Sequence, residues 1–137
     1  MIDPLAEVVS LLQPQARYSK LVEGAGAWRV RRSESGQPFY CVVLDGASLL
    51  TVADREPIAL RQGDFVLIPS AFGFTMSSPE PPAPDAADSE PVMLADGQFR
   101  LGRQSGSAQA RLLIGHCAFG SPDAALLVSL LPELVHV

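Results

Sequence analysis

The apolar positions of this chain come in short runs divided by turn residues, and the pattern is densest between Pro38 and Ser78. The segments there read FYCVVLDG, SLLTV, EPIALRQGDFVLIP and FGFTMSS, rich in Val, Leu, Ile and Phe, with turn residues at Asp45-Gly46, Asp54 and Gln62-Gly63-Asp64. Runs of this kind predict a meander of short antiparallel strands. Upstream, strands are expected at about Lys20 to Val22 and Ala27 to Arg31, with Gly24 and Gly26 making the turn between them. Downstream, Gln98 to Leu101 and Arg111 to Phe119 read as strands joined by the Gly102 to Ser107 turn. Helical spacing appears at the two ends. Asp3 is placed as an N-cap and Pro4 at the first helical position, with Leu5, Val8, Val9 and Leu12 on one face before Pro14 ends the helix. A closing helix is expected from Ser121 as N-cap and Pro122 at the first position, carrying Leu126, Leu127, Leu130 and Leu131 up to Pro132.

The pattern breaks between Ser77 and Pro91, where Pro79, Pro81, Pro82, Pro84 and Pro91 alternate with Glu80, Asp85, Asp88 and Glu90, with no base and no aromatic. Such a stretch buries too little apolar surface to order itself, which predicts a flexible, exposed Pro/acidic loop at about 77–91, inserted between two strands. The strand pattern resumes beyond it, so it is not a domain linker. No repeat marks a solenoid.

Composition narrows the choice. A chain of 137 residues that is 47% hydrophobic can bury one core and has no room for a second full domain, so residues 1–137 are expected to form a single domain. Ten basic against fifteen acidic residues give a net charge of -5, the wrong sign for a surface that neutralises phosphates, so no nucleic acid is expected to bind this domain alone. Met1 to Leu12 lacks the basic start and continuous apolar core of a signal peptide, and no run approaches the roughly 18 apolar residues of a membrane span. A soluble, cytoplasmic protein with no membrane contact is expected. Two cysteines, Cys41 and Cys117, are too few for a secreted disulfide scaffold.

In GDFVLIP a Gly-Asp turn feeds four apolar residues and a stopping proline, and the segment resembles the second conserved strand pair of the cupin β-barrel. The resemblance implies a mainly β fold, a cupin-like antiparallel β-barrel (double-stranded β-helix) with short N-terminal and C-terminal helices. In cupins the first motif supplies His, His and Glu, and the second supplies one His, to a metal inside the barrel. Laid on Gly63, the second motif puts its proline on Pro69, its glycine on Ala71, its histidine on Phe74 and its asparagine on Ser78. Gly46 ends the first motif and places the glutamate on Phe39, and the two histidines fall on Arg32 and Glu34 or on Ser33 and Ser35. A transition ion needs three or four converging N, O or S ligands. No metal and no cofactor are therefore expected, and the barrel reads as a pocket that binds rather than catalyses.

The order of segments is more specific still. DPLAEVVSLLQP, FYCVVLDG, GDFVLIP, the acidic proline-rich insertion, RLLIGHCAFG and PDAALLVSLLPELVHV follow one another across almost the whole chain. That series resembles the sensor domains of a bacterial group of AraC-type transcriptional regulators. In that family the cupin-like half binds a small effector or mediates dimerisation, and a C-terminal pair of helix-turn-helix units reads DNA. From Ser121 to Val137 there is no Lys or Arg, so the helix-turn-helix domain is expected to be absent from this chain and DNA to be met through a missing C-terminal domain. Two other readings stand beside this one: a metal-independent cupin enzyme of isomerase type, and a structural interaction domain whose barrel is filled by its own side chains.

Strand alternation supplies the candidate site. Phe39, Cys41 and Val43 share one face, taken as inward, and the expected ligand-binding interior comprises Trp28, Phe39, Cys41, Val43, Phe74 and Met76, with Trp28 or Tyr40 at the rim. The expected effector is a modest hydrophobic or aromatic compound, with Arg29 or Arg31 as an anion contact at the mouth, although solvent is the plainer environment for both. Cys41 reads first as a small buried hydrophobe, with ligand or metal sensing as the alternative. His116 and Cys117 alternate to opposite faces and cannot meet at one ion without a bulge. A Cys41–Cys117 disulfide is disfavoured by a reducing cytoplasm. Asp64 is read as capping its turn. No nucleophile elbow or phosphate loop is present in the sequence. Leu126, Leu127, Leu130 and Leu131 with the Leu134-Val135 tail exceed what one packed face needs, and predict a homodimer through this helix or a barrel edge.

Overall fold

A strand that buries every second side chain has one face to hide, and two such faces can hide each other. The runs around Phe39, Leu50 and Met76 alternate in this way, with Phe39, Cys41 and Val43, then Ser48, Leu50 and Val52, buried in turn. In the computed structural model, which describes residues 4–33, 37–53, 55–71 and 73–136, they form two sheets packed face to face. The Asp3 cap, the Asp54 turn and the motif positions at Glu34 and Ser35 lie outside the described residues, as does the side chain of Leu5.

Helix α1 (Pro4–Leu11) is followed by β1 (Pro14–Ala25), β2 (Arg29–Ser33), β3 (Phe39–Asp45), β4 (Ala47–Val52), β5 (Ile58–Arg61) and β6 (Phe65–Ile68). Then come β7 (Gly73–Ser77), β8 (Val92–Met93), β9 (Phe99–Gly102), β10 (Ala110–Phe119), α2 (Ala124–Ser129) and β11 (Val135–His136). The larger sheet has the order β11-β6-β3-β10-β1-β9-β8 and the smaller β2-β7-β4-β5. All pairings are antiparallel except β1 with β9. The fold is mainly β with a short helix near each end, the cupin-like architecture the sequence predicts.

The strand positions between Phe39 and Ser77 agree with the sequence, but their partners do not form a meander. β3 and β4 are joined at Asp45-Gly46 yet lie in different sheets, and β5, β6 and β7 likewise step from one sheet to the other. The crossing at Gly46 needs glycine: its φ is +76° and a Cβ there would run into the Gln109 carbonyl. β4 and β5 do form a hairpin. The expected hairpin at Gly24 and Gly26 is also corrected, since Gly24 lies inside β1 and the next strand, β2, belongs to the other sheet. β9 and β10 are separated by β1 rather than paired through the Gly102 to Ser107 turn. Alternation records which side of a strand is apolar; it carries no information about which neighbour supplies the hydrogen bonds.

The main core lies between the sheets, with Val43 and Val66 from one meeting Leu50 and Leu60 from the other. A second, smaller core sits on the outer face of the larger sheet, where Leu67, Cys117 and Val135 pack with Val9 and Leu131. The C-terminal segment closes it differently from the prediction. α2 starts at Ala124 with Asp123 as its N-cap, and Ser121 Oγ instead accepts the Asp123 N–H at 3.1 Å. After the helix, Val135 and His136 pair with Leu67 and Val66 of β6, so the tail is a strand with a fully buried Val135 rather than spare apolar surface. Asp64 caps its turn as read, its carboxylate accepting the Arg61 N–H at 2.9 Å and contacting His136 Nε2 at 3.1 Å.

The loop after β7 is exposed along most of its length, but it is fastened. Ser78 is buried and its Oγ accepts the Trp28 N–H at 3.0 Å, while its own N–H reaches the Trp28 carbonyl at 3.0 Å. Further along, Arg29 donates from Nε to Asp88 at 3.1 Å, from Nη1 to the Ala83 carbonyl at 3.1 Å, and from Nη2 to the Ala86 carbonyl. Ser89 and Arg29 also exchange hydrogen bonds. A segment without apolar anchors is held here by one guanidinium that satisfies its carbonyls. Arg100 does the same for the 102–109 loop: it pairs with Glu23 at 2.9 Å and reaches the Arg103, Ser105 and Gly106 carbonyls.

Candidate functional site

Two sheets of alternating strands fill the space between them only where both supply large side chains, and at one end they do not. A cavity of about 210 Å³ remains there. Its floor is the pair Phe39 and Phe74, whose ring centroids are 4.4 Å apart. β10 contributes Leu112, Ile114 and His116, the imidazole standing edge-on to Phe39 at 6.0 Å, and β7 contributes Met76. Trp28 and Val30 form the wall from the smaller sheet, and Lys20 and Val22 of β1 the wall from the larger. Arg32 and Pro91, both exposed, mark the side open to solvent.

Of the six interior residues named from sequence, Trp28, Phe39, Phe74 and Met76 border this cavity. Cys41 and Val43 do not. They lie further along β3, fully enclosed in the solid part of the core, where the opposite sheet supplies Leu50 and Leu60 against them. Tyr40 faces the other side of its sheet and packs in the second core, so it is no rim residue. Trp28 instead divides the cavity from a groove whose wall includes Gly24 and Gln109. A Cβ at Gly24 would stand 2.9 Å from the indole Cε2, so glycine there is what lets Trp28 take its place.

Arg29 and Arg31 are also displaced from their expected role. Alternation turns them away from Val30, onto the outer face of β2, where the 77–91 loop occupies both. Arg29 is 6% exposed and fully engaged by that loop; Arg31 is exposed, 3.5 Å from Asp88. The cations that do face the cavity are Lys20 and Arg32. The signal was present in the sequence: Lys20 is two residues from inward Val22, and Arg32 two from inward Val30. Burial first, and the neighbouring Arg32 charge second, hold the Lys20 ammonium below the usual lysine range. Its Nζ sits 4.8 Å over the Phe99 ring.

The donor set does not fit a metal. The positions that carry a glutamate and a histidine in the cupin motifs hold the Phe39 and Phe74 rings, tilted 36° to each other. Among the described residues no three His, Cys, Asp or Glu side chains converge. His116 faces the cavity while Cys117 lies in the second core, on opposite sides of β10 as alternation requires. The same opposition separates Cys41 from Cys117, and both thiols are free. Burial pushes the Cys41 thiol up to about 12 and raises Cys117 as well, so neither is a thiolate at neutral pH. What the site offers is an apolar pocket with two cations at its mouth.

A family profile described as cupin matches residues 3–137. The chain is 31% identical over 137 residues to a protein of Streptomyces antibioticus described as an AraC-like transcription regulator, and 30% identical to one of Streptomyces lividans with the same description. Each match covers 99% of this chain and 44% of the relative, so the chain spans less than half the length of these relatives.

Proposed function

This chain belongs to the cupin family, and we propose that it is the effector-binding and dimerising domain of an AraC-type transcription regulator, with the cavity between its sheets as the effector site. The observation that carries this reading is the cavity itself. Its lining is mostly apolar, and among the described residues it includes no Asp or Glu. A dry apolar cavity of about 150 Å³ accommodates benzene, so 210 Å³ is room for a one-ring compound. A barrel of this size holding one small ligand is a recurrent arrangement. In this reading the domain is not an enzyme, needs no cofactor, and works in the cytoplasm, which suits its two free cysteines. DNA is contacted by a domain outside this chain; the acidic balance of these residues is unsuited to it.

The test uses toluene as a neutral probe. A ligand that binds only the folded state raises its stability in proportion to ln(1 + [L]/Kd), so toluene should raise the melting temperature of this chain. Two variants that fill the cavity from different walls, Ile114→Trp and Val30→Phe, should lose that response while folding at an overpacking cost of about 1 to 3 kcal/mol. No response in the parent chain, or an equal response in both filled variants, would remove the cavity as the site.

A further inference from the structure

The two cations at the cavity mouth say more about the ligand than the apolar lining does. Lys20 comes from β1 of the larger sheet and Arg32 from β2 of the smaller, so they approach one opening from opposite sides. Their backbone positions are fixed by pairing: Lys20 lies opposite Ile114, and Arg32 opposite Phe74, both cavity residues. Like charges so placed repel each other, and burial adds to that cost at Lys20.

Among the described residues of the lining there is no Asp or Glu to offset this, in a protein whose overall charge is -5. Among the described residues, Arg29, Arg31, Arg55, Arg100 and Arg111 pair with carboxylates, while Lys20 and Arg32, like Arg61 and Arg103, do not. The contact Lys20 makes is with the face of Phe99, a weaker attraction than an ion pair with a desolvated carboxylate. Among the described residues, two cations therefore flank one opening of a protein whose net charge is -5.

We propose that the ligand of this cavity is a small aromatic or short-chain monocarboxylate, with its apolar body on the Phe39–Phe74 floor and its carboxylate between Lys20 and Arg32. This rests on the effector-site reading above and names its ligand class. A single carboxylate relieves the repulsion between the two cations, and the planar guanidinium of Arg32 can bind it through two parallel N–H groups. Most of the remaining lining, Leu112, Ile114 and Met76 among it, is apolar, and among the described residues the other polar groups there are the His116 imidazole and the Trp28 indole. A sugar or other polyol would leave most of its hydroxyls unpaired against that surface, which disfavours it.

Benzoate and its neutral isostere benzyl alcohol separate the two layers of the argument. Titration calorimetry on this chain should show benzoate binding tighter than benzyl alcohol by about tenfold or more, the gain expected of a charge-assisted contact. Lys20→Gln and Arg32→Gln should each erode that preference, and the double variant should bring the two affinities together; both side chains stand at the mouth, so the fold is spared. Benzyl alcohol binding as well as benzoate, or a preference untouched by both substitutions, would overturn the anionic ligand and leave the cavity reading in place. Binding of neither compound would overturn both.

Discussion

Burial takes from Cys41 the reactivity its thiol would have in water. The side chain is fully enclosed and its pKa is pushed up to about 12, so at neutral pH the nucleophilic thiolate is missing. Ellman's reagent should therefore leave Cys41 unmodified in the folded chain and titrate both Cys41 and Cys117 in denaturant; rapid modification of Cys41 without unfolding would contradict its placement. Period-two alternation was enough to put Phe39, Phe74 and Met76 inside. It also turned Arg29 and Arg31 outward, given Val30 inward. What it could not supply was the partner waiting on that outer face, because Asp88 and the Ala83 and Ala86 carbonyls lie far away along the chain. Lys20 already lay in a strand read from the sequence, while Arg32 was legible only once β2 was known to run past Arg31.

At the scale of elements, the acidic proline-rich loop shows what composition can and cannot say. Its lack of apolar residues goes with a segment that is exposed along most of its length. Order came instead from Arg29, a buried guanidinium whose donors are spent on two loop carbonyls and Asp88. Replacing it with Ala leaves those acceptors unpaired, and Arg29→Ala should lower the free energy of unfolding by about 3 kcal/mol. It should also open the 79–90 segment to limited proteolysis. Arg31→Ala, which removes an exposed pair, should cost under about 1 kcal/mol. Urea titrations of the two variants check the difference, and equal stability would contradict the staple. Strand positions were readable because each run carries its own period. Strand pairing was not: β1 accepts β10 on one side and β9 on the other, and no local pattern distinguishes those partners.

The whole molecule hides its two cores but leaves apolar side chains uncovered in more than one place, at Val92 and Met93 of β8 and in a strip beside the helices. The segments that follow α1 and precede α2 lie side by side, where the Gly120 N–H reaches the Gln13 carbonyl at 3.0 Å and the Ser121 N–H the Leu12 carbonyl at 3.2 Å. There Leu11 is 60% exposed and Leu126 and Leu130 are each 64% exposed, while Leu127 and Leu131 are half-buried. The helix thus retains apolar surface even after Val135 is taken into the second core, and the homodimer is proposed through this strip. Sedimentation should give a dimeric mass at micromolar concentration and a monomeric one for the Leu126→Glu/Leu130→Glu variant. A monomeric parent chain would remove dimerisation from the proposed role. The effector role stands or falls separately, on whether the space among Phe39, Phe74, Met76 and Leu112 is open and apolar. Xenon occupies such cavities, so a crystal of this chain pressurised with xenon tests it most directly: the account predicts a xenon peak in contact with Phe39 and Phe74, and an interior filled by side chains with no xenon there would contradict it.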